Sequence, residues 1–201
     1  MTVRLEDATR PELLTVLRSL LQERDELQRR IDELELAHER LRREHAAVER
    51  DHAVGSHLQV AGRLLHRSLD RRQVLTAILE ICINLVGCEE IALFERGGDG
   101  ERLGLIASFG VDEAAWASVA IDAGAIGQAA ATASIQLAGG DSGDGTPVAC
   151  VPLCVERHVV GVLVLFRLLP HKAGFEPVDL ALFDLLREEG GVALAASAES
   201  A

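Results

Sequence analysis

The sequence lacks the features that would place the protein in a membrane or on nucleic acid. No run of about 18 uncharged apolar residues occurs, and Glu6 and Asp7 interrupt the start where a signal peptide would be apolar. Acidic residues outnumber basic ones by 32 to 20, and no basic stripe is present to contact phosphates. We therefore expect a soluble, cytoplasmic protein with no membrane span and no nucleic-acid partner.

Disulfide bonds are also not expected. The four cysteines, Cys82, Cys88, Cys150 and Cys154, lie in apolar stretches rather than in a short loop-rich scaffold, which favours reduced thiols. In a strand Cys150 and Cys154 would share a face at about 13 Å, too far to bond to each other. We interpret the four thiols as small buried apolar groups.

The N-terminal quarter has no glycine before Gly55 and carries a heptad pattern. It predicts a tail over residues 1–10 and a coiled-coil helix over residues 11–55. The a positions are Leu17, Arg24, Ile31, His38, His45 and His52, and the d positions are Leu20, Leu27, Leu34, Leu41 and Val48. The apolar members, Leu17, Leu20, Leu27, Ile31, Leu34, Leu41 and Val48, are the expected coil interface.

A lone helix this polar is marginal in water, so the pattern predicts a homodimer. Its orientation stays open, because a parallel pair would bring Arg30 to Glu35 but also Glu44 to Glu49. Beyond Gly55 the apolar positions change phase, which predicts that the helix hinges or changes partner there.

Three interpretations compete for His38, His45 and His52. Residues seven apart lie about 10.5 Å apart along a helix, which is a poor metal site within one chain, so no metal is expected. Imidazoles paired across a dimer would form a pH-responsive layer. The simplest interpretation is that the three histidines are partly solvated residues of the seam, which is the stripe of a and d positions, and that they weaken its C-terminal half.

Residues 56–198 predict an α+β domain with an antiparallel sheet flanked by helices. "EEIALFER" and "RLGLIASF" form a predicted hairpin across "GGDG", and "PVACVPLCVE" and "VVGVLVLFRL" form a second one. "DEAAWASV" and "AIGQAAATA" are predicted short helices, and "SIQLA" is a short strand. The last helix, from "FEPVDL" onward, is expected to turn Leu180, Phe183, Leu186 and Val192 inward.

This order of elements resembles the GAF domain family over about residues 57–197. The resemblance rests on "LVGCEEIALFER", "LGLIASFG", "AGAIGQAAATA", "FEPVDLALFDLL" and above all the hairpin "VACVPLCVERHVVGVLVLF". PAS-like sensors are the competing assignment. The resemblance implies a six-stranded sheet, a ligand cavity on one side and dimerisation through the first and last domain helices.

The resemblance also implies candidate pocket residues, which are Phe94, Phe109, Trp116, Ile126, Cys150 and Cys154. The family's cyclic-nucleotide motif is absent, since Asn84 and Lys172 are far apart and are the only residues of their types. No Cys-His pair or tyrosine is present to hold a bilin. The acidic turn "GGDSGDG" is too short to close a cavity, and its Asp141 and Asp144 lack the ligand count of a calcium loop. The cofactor is left unknown.

Three functions follow as hypotheses. The first is a non-enzymatic signalling or regulatory module, a coiled-coil dimer that acts as an adaptor for a cytoplasmic protein partner, with no catalytic residue. The second is a small-molecule sensor that transmits through the coil. The third is a thiol enzyme similar to free methionine sulfoxide reductases, centred on Cys150 or Cys154. Because the sequence ends shortly after the last predicted helix, we expect no output domain, and the first hypothesis is preferred.

Overall fold

The computed structural model describes residues 10–98, 100–121, 124–138 and 145–199, without the side chains of Arg10, Glu12, Arg50, Asp51 and Glu199. Residues 1–9 of the predicted tail lie outside the described residues. So do Asp141 and Asp144 of the acidic turn. The chain forms two compact units that divide between Asp51 and His52. None of the described helices is both long enough and apolar enough to cross a lipid bilayer.

A long helix, α1 (Arg10–Leu65), confirms the predicted N-terminal helix. In the first unit its apolar heptad residues are exposed on the single chain, from Leu13 to Val48. The polar side carries ion pairs between neighbouring turns of the helix, such as Arg29–Glu26 at 2.7 Å and Arg43–Glu39 at 3.1 Å. Exposed pairs of this kind contribute about 0.3–0.5 kcal/mol each, so they do not replace a packed face.

The helix runs without a break through Gly55. The expectation that the helix hinges or changes partner near Gly55 stays a prediction. Near its end, α1 packs Leu58 and Leu64 against the core of the second unit, where Ala61 and Leu65 are fully buried. The predicted division of the chain at residues 55 and 56 stays a prediction.

The second unit confirms the predicted α+β fold. Its described residues form six strands: β1 (Cys88–Arg96), β2 (Arg102–Phe109), β3 (Ser118–Ala120), β4 (Gln136–Leu137), β5 (Ala149–Val155) and β6 (His158–Leu168). Every neighbouring pair is antiparallel, in the order β3-β2-β1-β6-β5-β4. The two predicted hairpins are therefore joined side by side through β1 and β6.

The helices of this unit are α2 (Arg71–Glu80), α3 (Gly124–Thr132), α4 (Pro177–Leu185) and α5 (Gly191–Glu199). A π-helical turn, Ile81–Val86, extends α2, and another, Leu186–Gly190, joins α4 to α5. Asp70 caps α2 by accepting a hydrogen bond from the Gln73 amide at 3.0 Å. Gly87 ends the first π turn in the left-handed conformation, at φ 81°, which glycine adopts without strain.

Both faces of the sheet are buried, because alternate residues of the central strands point to opposite sides. On the first face, Ile91, Leu93 and Leu163 pack against the end of α1 and against α2, α4 and α5. On the second face, Phe94 and Phe166 pack against α3 and against residues that precede it. The sheet is therefore the middle layer of the unit.

Two predictions about local structure are wrong. "DEAAWASV" is a series of turns followed by strand β3, because residues 118–120 pair with the edge of β2 instead of coiling. Leu180 and Val192 are 40% and 50% exposed, whereas Leu182 and Leu194 are buried in their place. The π turn between α4 and α5 shifts the helical phase, so Val192 rotates away from the sheet.

The glycine pair where this π turn meets α5 generates a prediction about stability. A Cβ on Gly191 would lie 2.3–2.7 Å from the backbone of Cys154, whereas a Cβ on Gly190 would make ordinary contacts of 3.6 Å or more. Gly191→Ala is expected to lower the free energy of unfolding by about 2–3 kcal/mol, because α5 must move off β5. Gly190→Ala is the matched control and should be neutral or slightly stabilising. Urea unfolding followed by circular dichroism measures both, and equal midpoints would contradict the close approach.

Candidate functional site

Five of the six candidate pocket residues lie together on the second face of the sheet. Phe94, Ile126, Cys150 and Cys154 are buried there and Trp116 packs against them. Strands β1 and β5 supply Phe94 and the two cysteines, while α3 supplies Ile126. The sheet thus places the aromatic and thiol groups under one helix, as the alternation of strand residues predicts.

Phe109 lies elsewhere. It is opposite Ile91 in the β1–β2 register, and Ile91 belongs to the first face. A bulge between Leu93 and Phe94 fixes this register. The Phe109 side chain is 49% exposed at the end of β2, so it does not share a surface with the other five.

Side chains of the protein pack between α3 and the sheet. The Trp116 and Phe166 rings are 4.6 Å apart between centroids and tilted by 44°. A Cβ on Gly127 of α3 would lie 2.3 Å from the Ile121 carbonyl oxygen, so the helix backbone touches the chain that follows β3. This close contact holds α3 down over the candidate pocket.

All four thiols are buried, and burial raises the pKa of three of them. All four cysteines are free and buried, and Cys150 is 1% exposed. Burial raises the pKa of Cys150 to about 12. Burial, followed by the charge of nearby Asp179, raises the pKa of Cys88 to about 12 although Lys172 lowers it. Burial also raises the pKa of Cys82 above its usual value. Such environments suppress the thiolate that nucleophilic chemistry requires.

A buried ion pair lies near Cys88, and its residues were not among the predicted site residues. Lys172 Nζ contacts both carboxylate oxygens of the fully buried Asp179 at 2.8 Å and donates to the Val86 carbonyl. Asp179 also accepts a hydrogen bond from the Glu176 amide at 2.7 Å. Each donor reduces the cost of burying this carboxylate. The one signal in the sequence was that Lys172 is the only lysine.

The described part of the second unit has surface clefts, of which three concern the site. A cleft of about 430 Å³ is lined by Arg67, Arg72 and Thr76 beside α2. One of about 700 Å³ lies next to Lys172, and one of about 340 Å³ is bordered by Cys154 and by the His66–Glu189 pair, whose Nε2 and Oε2 are 2.9 Å apart. Of the candidate pocket residues, Cys154 alone lines any of these three.

The three seam histidines are exposed on the single chain. His45 Nδ1 lies 3.5 Å from Glu49 Oε1 one turn further on, which gives its charged form a partner. Among the described residues no group of three or more potential ligands is placed to hold a metal ion. The possible pH response of His38, His45 and His52 stays a prediction.

The seam is an exposed apolar surface along the described part of α1. Its apolar side chains at the a and d positions, from Leu17 to Val48, are 47–69% exposed. Leu36 is 75% exposed as well, but it occupies an f position on the opposite side of the helix. The seam is therefore an ordered stripe, and Leu36 is an isolated apolar residue of a kind common on surfaces.

Comparison with solved structures identifies the fold of the second unit. The GAF domain of a phosphoenolpyruvate-protein phosphotransferase from Acinetobacter is 17% identical, with a TM-score of 0.59 over 73% of this chain and 95% of that chain. The GAF-B domain of DevS from Mycobacterium smegmatis is 20% identical, with a TM-score of 0.53 over 65% of this chain and 97% of that one.

An enzyme shares the fold. Free methionine-R-sulfoxide reductase from Neisseria meningitidis, solved in complex with its substrate, is 19% identical, with a TM-score of 0.55 over 72% of this chain and 89% of that chain. At these identities the likeness is one of fold and does not carry function. No curated protein sequence matches the chain.

The family model described as GAF domain matches residues 70–188, which span α2 through most of the second π turn. These residues include the paired hairpins, α3 over the second face and helices over the first face. The predicted resemblance is thereby confirmed, and the chain belongs to the GAF domain family.

Proposed function

We propose that this protein is a non-enzymatic regulatory module of the cytoplasm, in which a homodimeric coiled coil carries a GAF domain and docks onto a protein partner. The observation that carries the proposal is the exposed heptad seam of α1. The GAF fold supports the regulatory part, since it is mostly a signalling fold. The adaptor role, the dimer and the partner are the proposed steps.

The energetics of the seam support assembly. Fully burying a leucine or isoleucine contributes about 1.5–3 kcal/mol, and the seven apolar seam side chains on each helix are about half exposed or more. The a column, however, holds Arg24 and three histidines, which reduce the stability of a dimer. The resulting seam is strong enough to hold two chains and weak enough in its second half to exchange partners.

The interior of the candidate pocket supports an adaptor over a small-molecule sensor. The Trp116–Phe166 contact and the buried Phe94, Ile126 and Cys150 occupy the space beneath α3. A ligand would have to displace these side chains at the cost of their packing. A ligand that survives purification, detected by native mass spectrometry, would instead support the sensor.

The thiols support a non-enzymatic role. A reductase nucleophile needs an accessible cysteine with a lowered pKa. Cys150 has the opposite environment, since it is buried and its pKa is raised to about 12. Cys154 is buried too, and its Sγ lies 3.8 Å from the Pro152 carbonyl oxygen.

The seam generates a prediction about assembly. Replacing Leu27 and Leu34 with Asp is expected to raise the dissociation constant of the assembly by about 100-fold or more, because two carboxylates would be buried in each seam. Leu36→Asp is the matched control and should leave the assembly unchanged, since Leu36 is also exposed but lies at an f position. Sedimentation velocity over a concentration series measures the effect. An assembly that survives the double substitution would overturn the proposed coil.

The raised thiol pKa values generate a prediction about alkaline pH. An unfolded thiol ionises near 9.0 and folded Cys150 near 12, so between these values the unfolded state releases the proton and the folded state keeps it. Each such thiol therefore makes stability fall by about 1.4 kcal/mol per pH unit in this window. Cys150→Ala should therefore make the fall in the free energy of unfolding shallower by about 1.4 kcal/mol per pH unit.

Denaturant unfolding of the wild-type and Cys150→Ala chains between pH 9 and 11 measures the slope. The window is favourable because the chain has no tyrosine and one lysine, so few other groups titrate there. Equal slopes would mean that Cys150 already ionises in the folded protein. That result would support the third hypothesis, in which the protein is a thiol enzyme.

A further inference from the structure

We propose that the start of α1, Leu13–Leu21, joins two coiled-coil dimers of this chain into a tetramer. This inference rests on the proposed dimer and goes beyond it, because it assigns a second contact surface to the same helix. We call this segment the N-terminal face.

The N-terminal face is wider than a dimer seam. In the heptad register, Leu17 occupies a, Leu13 and Leu20 occupy d, Leu14 and Leu21 occupy e, and Val16 occupies g. All six side chains are exposed on the single chain, with Leu14 at 51%, Val16 at 52% and Leu21 at 41%. A helix that is apolar at a, d and one or both flanking columns has the pattern of a bundle helix packed against more than one neighbour.

The pattern narrows after Gln22. The flanking positions become polar at Glu23, Gln28, Arg30 and Glu35, while leucine or isoleucine continues at d and in part at a. This is the two-column pattern of a two-stranded coil. The same helix therefore has a face suited to more than one neighbour at its start and a face suited to one neighbour further on.

The opposite side of the segment is polar, as a bundle requires. Thr15, Arg18, Ser19 and Gln22 occupy b, c and f. The Thr15 hydroxyl donates to the Pro11 carbonyl at 3.0 Å, so it is bonded within its own helix and does not need a partner chain. From Leu13 to Gln22 no charged residue stands at a, d, e or g, so nothing on the face repels an identical face.

A second copy is the occupant that fits this face. In a parallel arrangement Val16 at g would lie beside Leu21 at e of the neighbouring helix, which is an apolar pair. If two copies of residues 10–51 paired in antiparallel orientation, the N-terminal face would instead contact Arg42, Glu44 and His45. This pairing would bury the charges of Arg42 and Glu44 against apolar side chains. Self-complementarity therefore favours parallel chains with the N-terminal faces together.

The dimer seam also leaves this surface uncovered. A two-stranded coil covers the a and d side chains and leaves Leu14, Val16 and Leu21 at its edges. Two dimers that meet at these edges bury them in a four-helix core. Beyond Ile31 the a positions are histidines, so the apolar side chains of the coil are concentrated towards its N-terminal end. Burying Leu14, Val16 and Leu21 in a four-helix core would therefore stabilise that end.

Sedimentation equilibrium and native mass spectrometry of the full chain test the inference. One chain has a mass of 21.6 kDa, so four chains give 4 × 21.6 = 86.4 kDa and two give 2 × 21.6 = 43.2 kDa. The wild-type chain is expected at the mass of four. Leu14→Gln with Leu21→Gln is expected at the mass of two, because these changes leave a and d intact and glutamine keeps the helix propensity of leucine.

Leu36→Gln is the control and should keep the mass of four, since it removes an exposed leucine from the f column. A wild-type dimer would overturn the tetramer and leave the proposed coil standing, and a monomer would overturn both. A tetramer that resists the double substitution would place its contacts elsewhere and overturn the inference. A wild-type dimer whose N-terminal segment binds a different protein would also overturn the inference.

Discussion

A sheet that is apolar on both faces has to be covered on both sides, and the second unit is organised by this constraint. Strands β1, β5 and β6 send alternate side chains to opposite faces, so neither face can be left to water. Helices from both ends of the unit cover the first face, while α3 covers the second. The close backbone contacts at Gly127 and Gly191 are where these two covers meet the rest of the fold.

The constraint also explains why the candidate pocket differs from an open binding site. Trp116 packs on Phe166 of the second face, which would otherwise be exposed to solvent. Burial in this face also keeps the Cys150 thiol protonated. A sheet face completed by the protein's own aromatic rings favours a role in which the domain is a stable body. The contacts with other chains are accordingly proposed for α1, whose heptad side chains are exposed.

The strands and the long helix could be predicted because their signals are local. Alternation within "RLGLIASF" and the heptads from Leu17 to Val48 can be read within a few residues of the sequence. Strand β3 could not be predicted, because its alanine-rich stretch favours a helix and only pairing with β2, where Arg102 Nε donates to Ser118 Oγ at 2.8 Å, makes it a strand. The sides occupied by Phe109 and Val192 depended on a bulge and a π turn, neither of which has a reliable local pattern. The Lys172 contact with Val86 joins residues far apart in the chain, so only the folded structure reveals it.

That contact has a consequence for covalent modification. The only lysine of the chain is bound to a fully buried carboxylate and a backbone carbonyl. An enzyme or reagent that acylates lysine side chains must first detach Lys172, which strands Asp179 without its counter-charge. Modification at this amine would therefore be restricted to copies whose β6–α4 connection has opened, and once made it would prevent that connection from closing. The side chain would serve as a chemical record of opening rather than as a surface tag on the intact domain.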